Sequence, residues 1–177
     1  MKKIIQVKVF IFLLAWMSDT KGQSALPPQP SPTSITTLKH ENTYIKITYC
    51  RPHKRGRTVF GGMIPYGKVW RTGANEATEI TVTQDIIMAG RQLSAGTYTL
   101  FTIPYRDKWT IIINTVLGQW GAYEYDSRRN ILKFDVPVTA TSVHYEPFTI
   151  EFEQRERTTN LLMLWDQTRV AIPIQFM

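Results

Sequence analysis

Short runs in which apolar and polar residues strictly alternate recur along most of this chain, and a period of two is what a strand with one buried face requires. Ile45, Ile47 and Tyr49 alternate with Lys46 and Thr48; Ile80 and Val82 lie between Glu79, Thr81 and Thr83; Phe148, Ile150 and Phe152 interleave with Thr149, Glu151 and Glu153. Leu132, Phe134 and Val136, and later Val170, Ile172 and Ile174, repeat the pattern. Trp109 to Ile113 and Leu161 to Trp165 are almost continuously apolar, which suits strands buried on both faces. No segment carries a helical period. Turn residues at Ala89-Gly90, Ser94-Ala95-Gly96, Tyr105-Arg106-Asp107 and Asp166-Gln167 divide the chain into about nine short strands. The reading is all-β: a single-domain antiparallel sandwich or jelly-roll-like arrangement, with a closed β-barrel as the competing architecture.

The start of the chain reads as an address rather than as fold. Lys2, Lys3 and Lys8 surround the beginning of a short apolar core, Val9 to Met17, and the small-residue stretch Gly22-Gln23-Ser24-Ala25 follows. That core is shorter than the roughly 20 apolar residues of a membrane-spanning helix. Residues 1–25 are therefore expected to be a signal peptide, with no stable membrane insertion after cleavage and a periplasmic or extracellular destination. Residues 26–38 open with Leu-Pro-Pro-Gln-Pro-Ser-Pro and read as an extended leader, because each proline fixes its own torsion and restrains its predecessor. Residues 39–177 are long enough for one domain with a real core. With a single cysteine, Cys50, no intramolecular disulfide can form, so stability rests on that core.

One run breaks the alternation: Tyr49-Cys50-Arg51-Pro52 through Trp70-Arg71-Thr72-Gly73-Ala74-Asn75-Glu76-Ala77-Thr78. A long irregular segment inside a compact domain must satisfy its own backbone groups, so it carries a task. The formal charge of +7 is concentrated there: Arg51, Lys54, Arg55, Arg57, Lys68 and Arg71 stand against Glu76 alone. Basic character is thus local, which argues against nucleic-acid binding over the general surface. Arginine offers a planar fork for a carboxylate, phosphate or sulfate. The plainer reading is that these arginines staple the loop to carboxylates such as Glu79, Asp85, Glu124 or Asp126. Trp70 and Tyr66 read as packing anchors before stacking platforms, and Trp120 with Tyr123 as a second aromatic wall or a hairpin cap.

Catalytic signatures are thin. His40, His53 and His144 lack zinc-ligand spacing, and there is no nucleophile elbow, phosphate loop or dinucleotide fingerprint, so no metal or cofactor is expected. Cys50 lacks a base on its own face of a strand, since His53 lies three positions on, and it reads as a small packing residue. Glu76 could join a second carboxylate such as Asp126 for glycoside chemistry.

At these residues the chain resembles the exported bacterial proteins grouped as domain of unknown function 2911, common among Bacteroidetes. The resemblance is carried by Tyr49 to Pro52, Arg55 to Gly61, Ile64 to Thr78, Leu93 to Pro104, Trp109 to Asn114, Trp120-Gly121, and Leu164-Trp165 with Val170 to Ile174. It implies export and a single domain, and it transfers no catalytic residue. Cys50 stands where the family's pattern implies serine, and Asn130 where it implies aspartate.

Three functional expectations follow. The leading one is a binding module in which Arg51, Arg71, Asn75 and Glu76 hold a small anionic or polar ligand beside Trp70 or Tyr66. The second is a hydrolase or lyase acting on an envelope carbohydrate or peptide, with Glu76 as acid or base. The third makes the motif architectural, with function in protein contacts. An acid pair in an open cleft favours the second, and a buried, satisfied motif favours the third.

Overall fold

The computed structural model describes residues 28–155 and 158–177. The expected signal peptide and the first two residues of the leader lie outside them. Among the described residues nine strands form one antiparallel sheet: β1 (Thr33–His40), β2 (Thr43–Cys50), β3 (Ala74–Val82), β4 (Ile86–Met88), β5 (Arg91–Leu93), β6 (Gly96–Pro104), β7 (Lys108–Asn114), β8 (Asn130–Arg155) and β9 (Thr158–Phe176). Their order is β1-β2-β3-β6-β7-β8-β9-β4-β5, so β1 and β5 are free edges and the sheet is not closed into a barrel. The only helical element among the described residues is a 3-10 turn, Ser127–Arg129. No helix among them is long and apolar enough to cross a membrane.

The sheet folds over on itself at β8. The first part of that strand pairs with β7, from Asn130 to Pro137, and the rest pairs with β9, from Val138 to Arg155. Both layers then share one core: Ile45, Ile47, Ile80, Ile111 and Phe134 from the first meet Phe148, Ile150, Met163, Trp165 and Ile172 from the second. Two contacts tie β1 and β2 to the opposite layer. The Ile150 amide donates to the Tyr49 hydroxyl at 3.0 Å, and the His40 ring stacks on Phe176 at 4.1 Å. Burial pushes the Tyr49 phenol above its ordinary pKa, so it stays protonated in this seam.

β9 contains the turn expected at Asp166-Gln167, but as a bulge inside one long strand. Leu161, Met163 and Trp165 face the core before it, and Val170, Ile172 and Ile174 after it. Odd positions give way to even ones, which strict alternation forbids. Asp166, in the left-handed region at φ 53°, resets the phase so that both halves bury their apolar face. β8 bends with it: between the Val138–Val170 and Thr149–Leu164 pairs, β8 runs eleven residues while β9 runs six.

The paired sheet begins inside the segment expected to be leader, because Thr33 to Leu38 belong to β1 and pair with β2. Of β1 only Leu38 is buried, so the strand is held mainly by its backbone ladder.

Candidate functional site

The irregular run divides into pieces with different tasks. Its first residues are zipped onto β8: the Phe148 amide donates to Pro52 O at 2.8 Å, the Lys54 amide to Glu146 O at 2.9 Å, and His53 lies opposite Pro147. Its middle caps the open end of the core. Val59 is buried, and the Phe60 ring meets Trp70, Trp109 and Trp165 edge-on at 6.1, 5.0 and 6.1 Å. Gly61 there has φ 84° and lies so close to the Tyr66 ring that a Cβ would stand 2.8 Å from it. The last piece, Trp70 to Gly73, enters β3.

Trp70 is only 4% exposed. Its backbone exchanges two hydrogen bonds with Thr102 on β6, and its indole N–H donates to Gly73 O at 2.9 Å. The next residue but one, Thr72, is fully buried at φ 57°, a left-handed conformation that costs a β-branched residue about 1–3 kcal/mol. Its hydroxyl is spent on Thr102 Oγ1 at 3.1 Å and its carbonyl accepts from Thr78 Oγ1 at 2.7 Å. A Cβ on Gly73 would stand 2.9 Å from Cys50 O, so glycine is needed where the run crosses the end of β2. Arg71 is thus held between an anchored tryptophan and a strained, tied threonine.

The predicted site residues separate. Arg51 donates from Nε to Phe148 O at 3.1 Å and from Nη2 to Thr149 Oγ1 at 2.6 Å, so its fork is engaged by β8. Tyr66 sits at the β6–β7 turn with the Arg106 guanidinium 5.1 Å above its ring. Trp70 lies in the aromatic core. Arg71, Asn75 and Glu76 instead gather at the end of β2 around Cys50. The Cys50 thiol donates to Glu76 Oε2 at 3.2 Å and lies 3.6 Å from Thr33 Oγ1. Asn75, at φ 55°, reaches Ser31 O at 3.4 Å.

The carboxylate staples expected for the loop do not form among the described residues. Glu79 accepts from the Gly118 amide, Asp85 from Gln92 and the Ala95 amide, and Asp126 from Arg128, which holds its carboxyl down at about 2. The loop arginines use neutral oxygens: Arg55 donates to Pro30 O, and Arg57 to Lys54 O and His53 O. Of the loop's basic side chains only Lys54 pairs with a carboxylate among the described residues, Asp166 at 2.6 Å, while the Arg55 amide donates to Glu146 Oε1 at 2.6 Å.

Arg71 is the exception. Its guanidinium makes no hydrogen bond or ion pair to another described residue, and its Nε is buried without a partner. Burial pushes its pKa down, opposed by Tyr123 and Cys50, neither of which is ordinarily an anion at neutral pH.

Beside Cys50 opens a cleft of about 220 Å³ lined by Thr33, Thr48, Tyr49, Cys50, Glu76, Ala77, Glu79 and Gly118. A bulge in β3 makes it. Thr48 pairs with Glu79 but Cys50 with Ala74, so β3 carries extra residues here and both Glu76 and Glu79 reach one cleft. The rim is the β7–β8 connection. Ala77 N donates to Gln119 O and Gly121 N to Asn75 O, each at 2.9 Å, which makes Glu76 and Trp120 a directly opposed, non-hydrogen-bonded pair. Ala122 and Tyr125 of this connection pack inward on Phe101 and Ile112, while Trp120 is 61% and Tyr123 86% exposed. Of Trp120 and Tyr123, read from the sequence as a second aromatic wall or a hairpin cap, Trp120 stands opposite Glu76. Glu79 was legible only as an ion-pair partner, because its place in the cleft depends on the bulge.

The family described as "Protein of unknown function (DUF2911)" matches residues 31–174. The chain belongs to the DUF2911 family. No curated protein and no solved structure matches it. The DUF2911 match spans β1 through Ile174 of β9, so it includes every residue of the Cys50 corner and its rim.

Proposed function

We propose that this DUF2911 protein is an exported binding module whose ligand is small, polar and anionic at one end, held at the corner formed by Cys50, Arg71, Asn75 and Glu76. The observation that carries this reading is Arg71, unpaired among the described residues. A partly buried guanidinium with an orphan Nε is costly, and such a group is retained where an anion completes it. The strained Thr72 and close-packed Gly73 beside it keep the side chain positioned before a ligand arrives. The test is Arg71→Lys, scored for thermal midpoint and for binding of acetate, glucuronate and inorganic phosphate at matched ionic strength. Lysine keeps the charge and loses the fork, so affinity is expected to fall while the midpoint stays. A lowered midpoint with no anion binding in either protein would make the motif a structural one.

A second reading has a specific observation behind it: Glu76 and Glu79 share an open cleft. A carboxylate pair of this kind is the equipment of a glycoside hydrolase. Turnover of chromogenic glycosides by the wild type, abolished by Glu76→Gln and by Glu79→Gln, would establish it. The Asp126 partner considered from the sequence does not line that cleft.

A further inference from the structure

We infer that the ligand is a carboxylated pyranose, a sugar acid whose carboxylate pairs with Arg71, whose hydroxyls donate to Glu76 and Glu79, and whose ring lies on Trp120. This rests on the reading of Arg71 as an anion partner and adds the chemistry of the rest of the ligand. Charge layout is the first argument. Glu76 and Glu79 line the cleft next to Cys50. Arg71 lies outside that lining, close enough to Cys50 and Tyr123 for their charges to interact. A compact multiple anion such as phosphate would meet two carboxylates as well as one guanidinium. A ligand with one carboxylate and several O–H donors matches both signs. Glu76 Oε2 is taken by the Cys50 thiol and Glu79 Oε1 by the Gly118 amide, which leaves the other oxygen of each to accept from a ligand. Thr33 and Thr48 add hydroxyls to the same wall.

The aromatic rim is the second argument. Trp120 opposes Glu76 across a non-hydrogen-bonded bridge, the arrangement that brings side chains closest, about 4.5 Å between Cα atoms. Its indole therefore rises beside the carboxylate. It is 61% exposed although backbone hydrogen bonds on both sides hold it in place. An aromatic side chain fixed in water beside polar groups suits a partner with an apolar face and a polar rim, which is the character of a sugar ring. Size is the third. About 220 Å³ is below the roughly 300–1,000 Å³ of pockets for drug-sized ligands, so the cleft has room for about one ring.

Calorimetric titration of the purified protein with glucuronate, glucose, acetate and inorganic phosphate, on wild type, Arg71→Lys and Trp120→Ala, tests this. Trp120 is exposed, so its replacement is expected to leave the thermal midpoint unchanged. Among the described residues the other tryptophans are buried, so a ligand-induced change in the red edge of tryptophan emission reports on Trp120. The expected result is saturable glucuronate binding, weakened about tenfold or more by either substitution, with glucose and acetate each about tenfold weaker than glucuronate. A disaccharide ending in glucuronate, bound as tightly as the free acid, would place the residue at a glycan terminus; weaker binding would favour the free acid. Acetate or phosphate binding as well as glucuronate, indifferent to Trp120→Ala, would overturn the sugar and leave the anion. No binding by any probe would overturn both.

Discussion

Arg51 and Arg71 are the same side chain in the same run, and the fold gives them opposite fates. Arg51 spends its fork on Phe148 O and Thr149 Oγ1, so Arg51→Met is expected to cost about 1–3 kcal/mol in urea unfolding with no direct effect on the Cys50 corner. Arg71 has no such partner among the described residues. Arg71→Met removes a partly buried, unpaired charge, so the ligand-free thermal midpoint is expected to stay level or rise by about 2–4 °C while anion affinity is lost. Nothing in the sequence separates the two, because what distinguishes them lies 97 residues away on β8. Cys50 is more legible. It reads as a small packing residue and is buried with its thiol donating to Glu76. Cys50→Ser keeps a small donor there, so midpoint and glucuronate affinity are both expected to remain near wild type; a change of orders of magnitude in any turnover would point to a nucleophile instead.

At the scale of the element, alternation was sufficient wherever a strand buries one face in phase. β2, β3 and the two ends of β8 follow from it, and the turns at 89–90 and 105–107 fall where glycine and polar residues place them. β1 escaped because its threonines and serine carry almost no buried side chain, and β4 and β5 because three residues cannot display a period. Asp166 misled in an instructive way, since a left-handed residue between apolar runs has the same composition as a turn. The bulge also holds a charge cluster. The Lys54 hydrogen bond, aided by His144 and opposed by burial, keeps the Asp166 carboxyl below its ordinary 3.8. A depressed carboxyl stabilises the fold above its unfolded value and loses that contribution as pH falls through the lowered one. Asp166→Asn preserves the left-handed backbone and removes the charge. Urea midpoints of variant and wild type are therefore expected to differ most at neutral pH and to converge well below 3.8.

For the molecule as a whole, the aromatic knot of Phe60, Trp70, Trp109, Phe148 and Trp165 joins the irregular run to both layers. Trp70→Ala is expected to cost about 3–5 kcal/mol, a large share of the roughly 5–15 kcal/mol that stabilises a domain. Trp70→Phe should cost less, and both are readable in urea unfolding. The sheet order has a different consequence, one of timing. β4 pairs with β5 beside it and with Ile174–Phe176, more than eighty positions further along the chain. Hairpins such as β1–β2 and β6–β7 can close as soon as they are made, but Ile86 and Met88 have no second neighbour until the far end of β9 arrives. Folding is therefore expected to be slow and to pass through a species with that seam open, a sticky intermediate whose lifetime is set by the longest loop it must close.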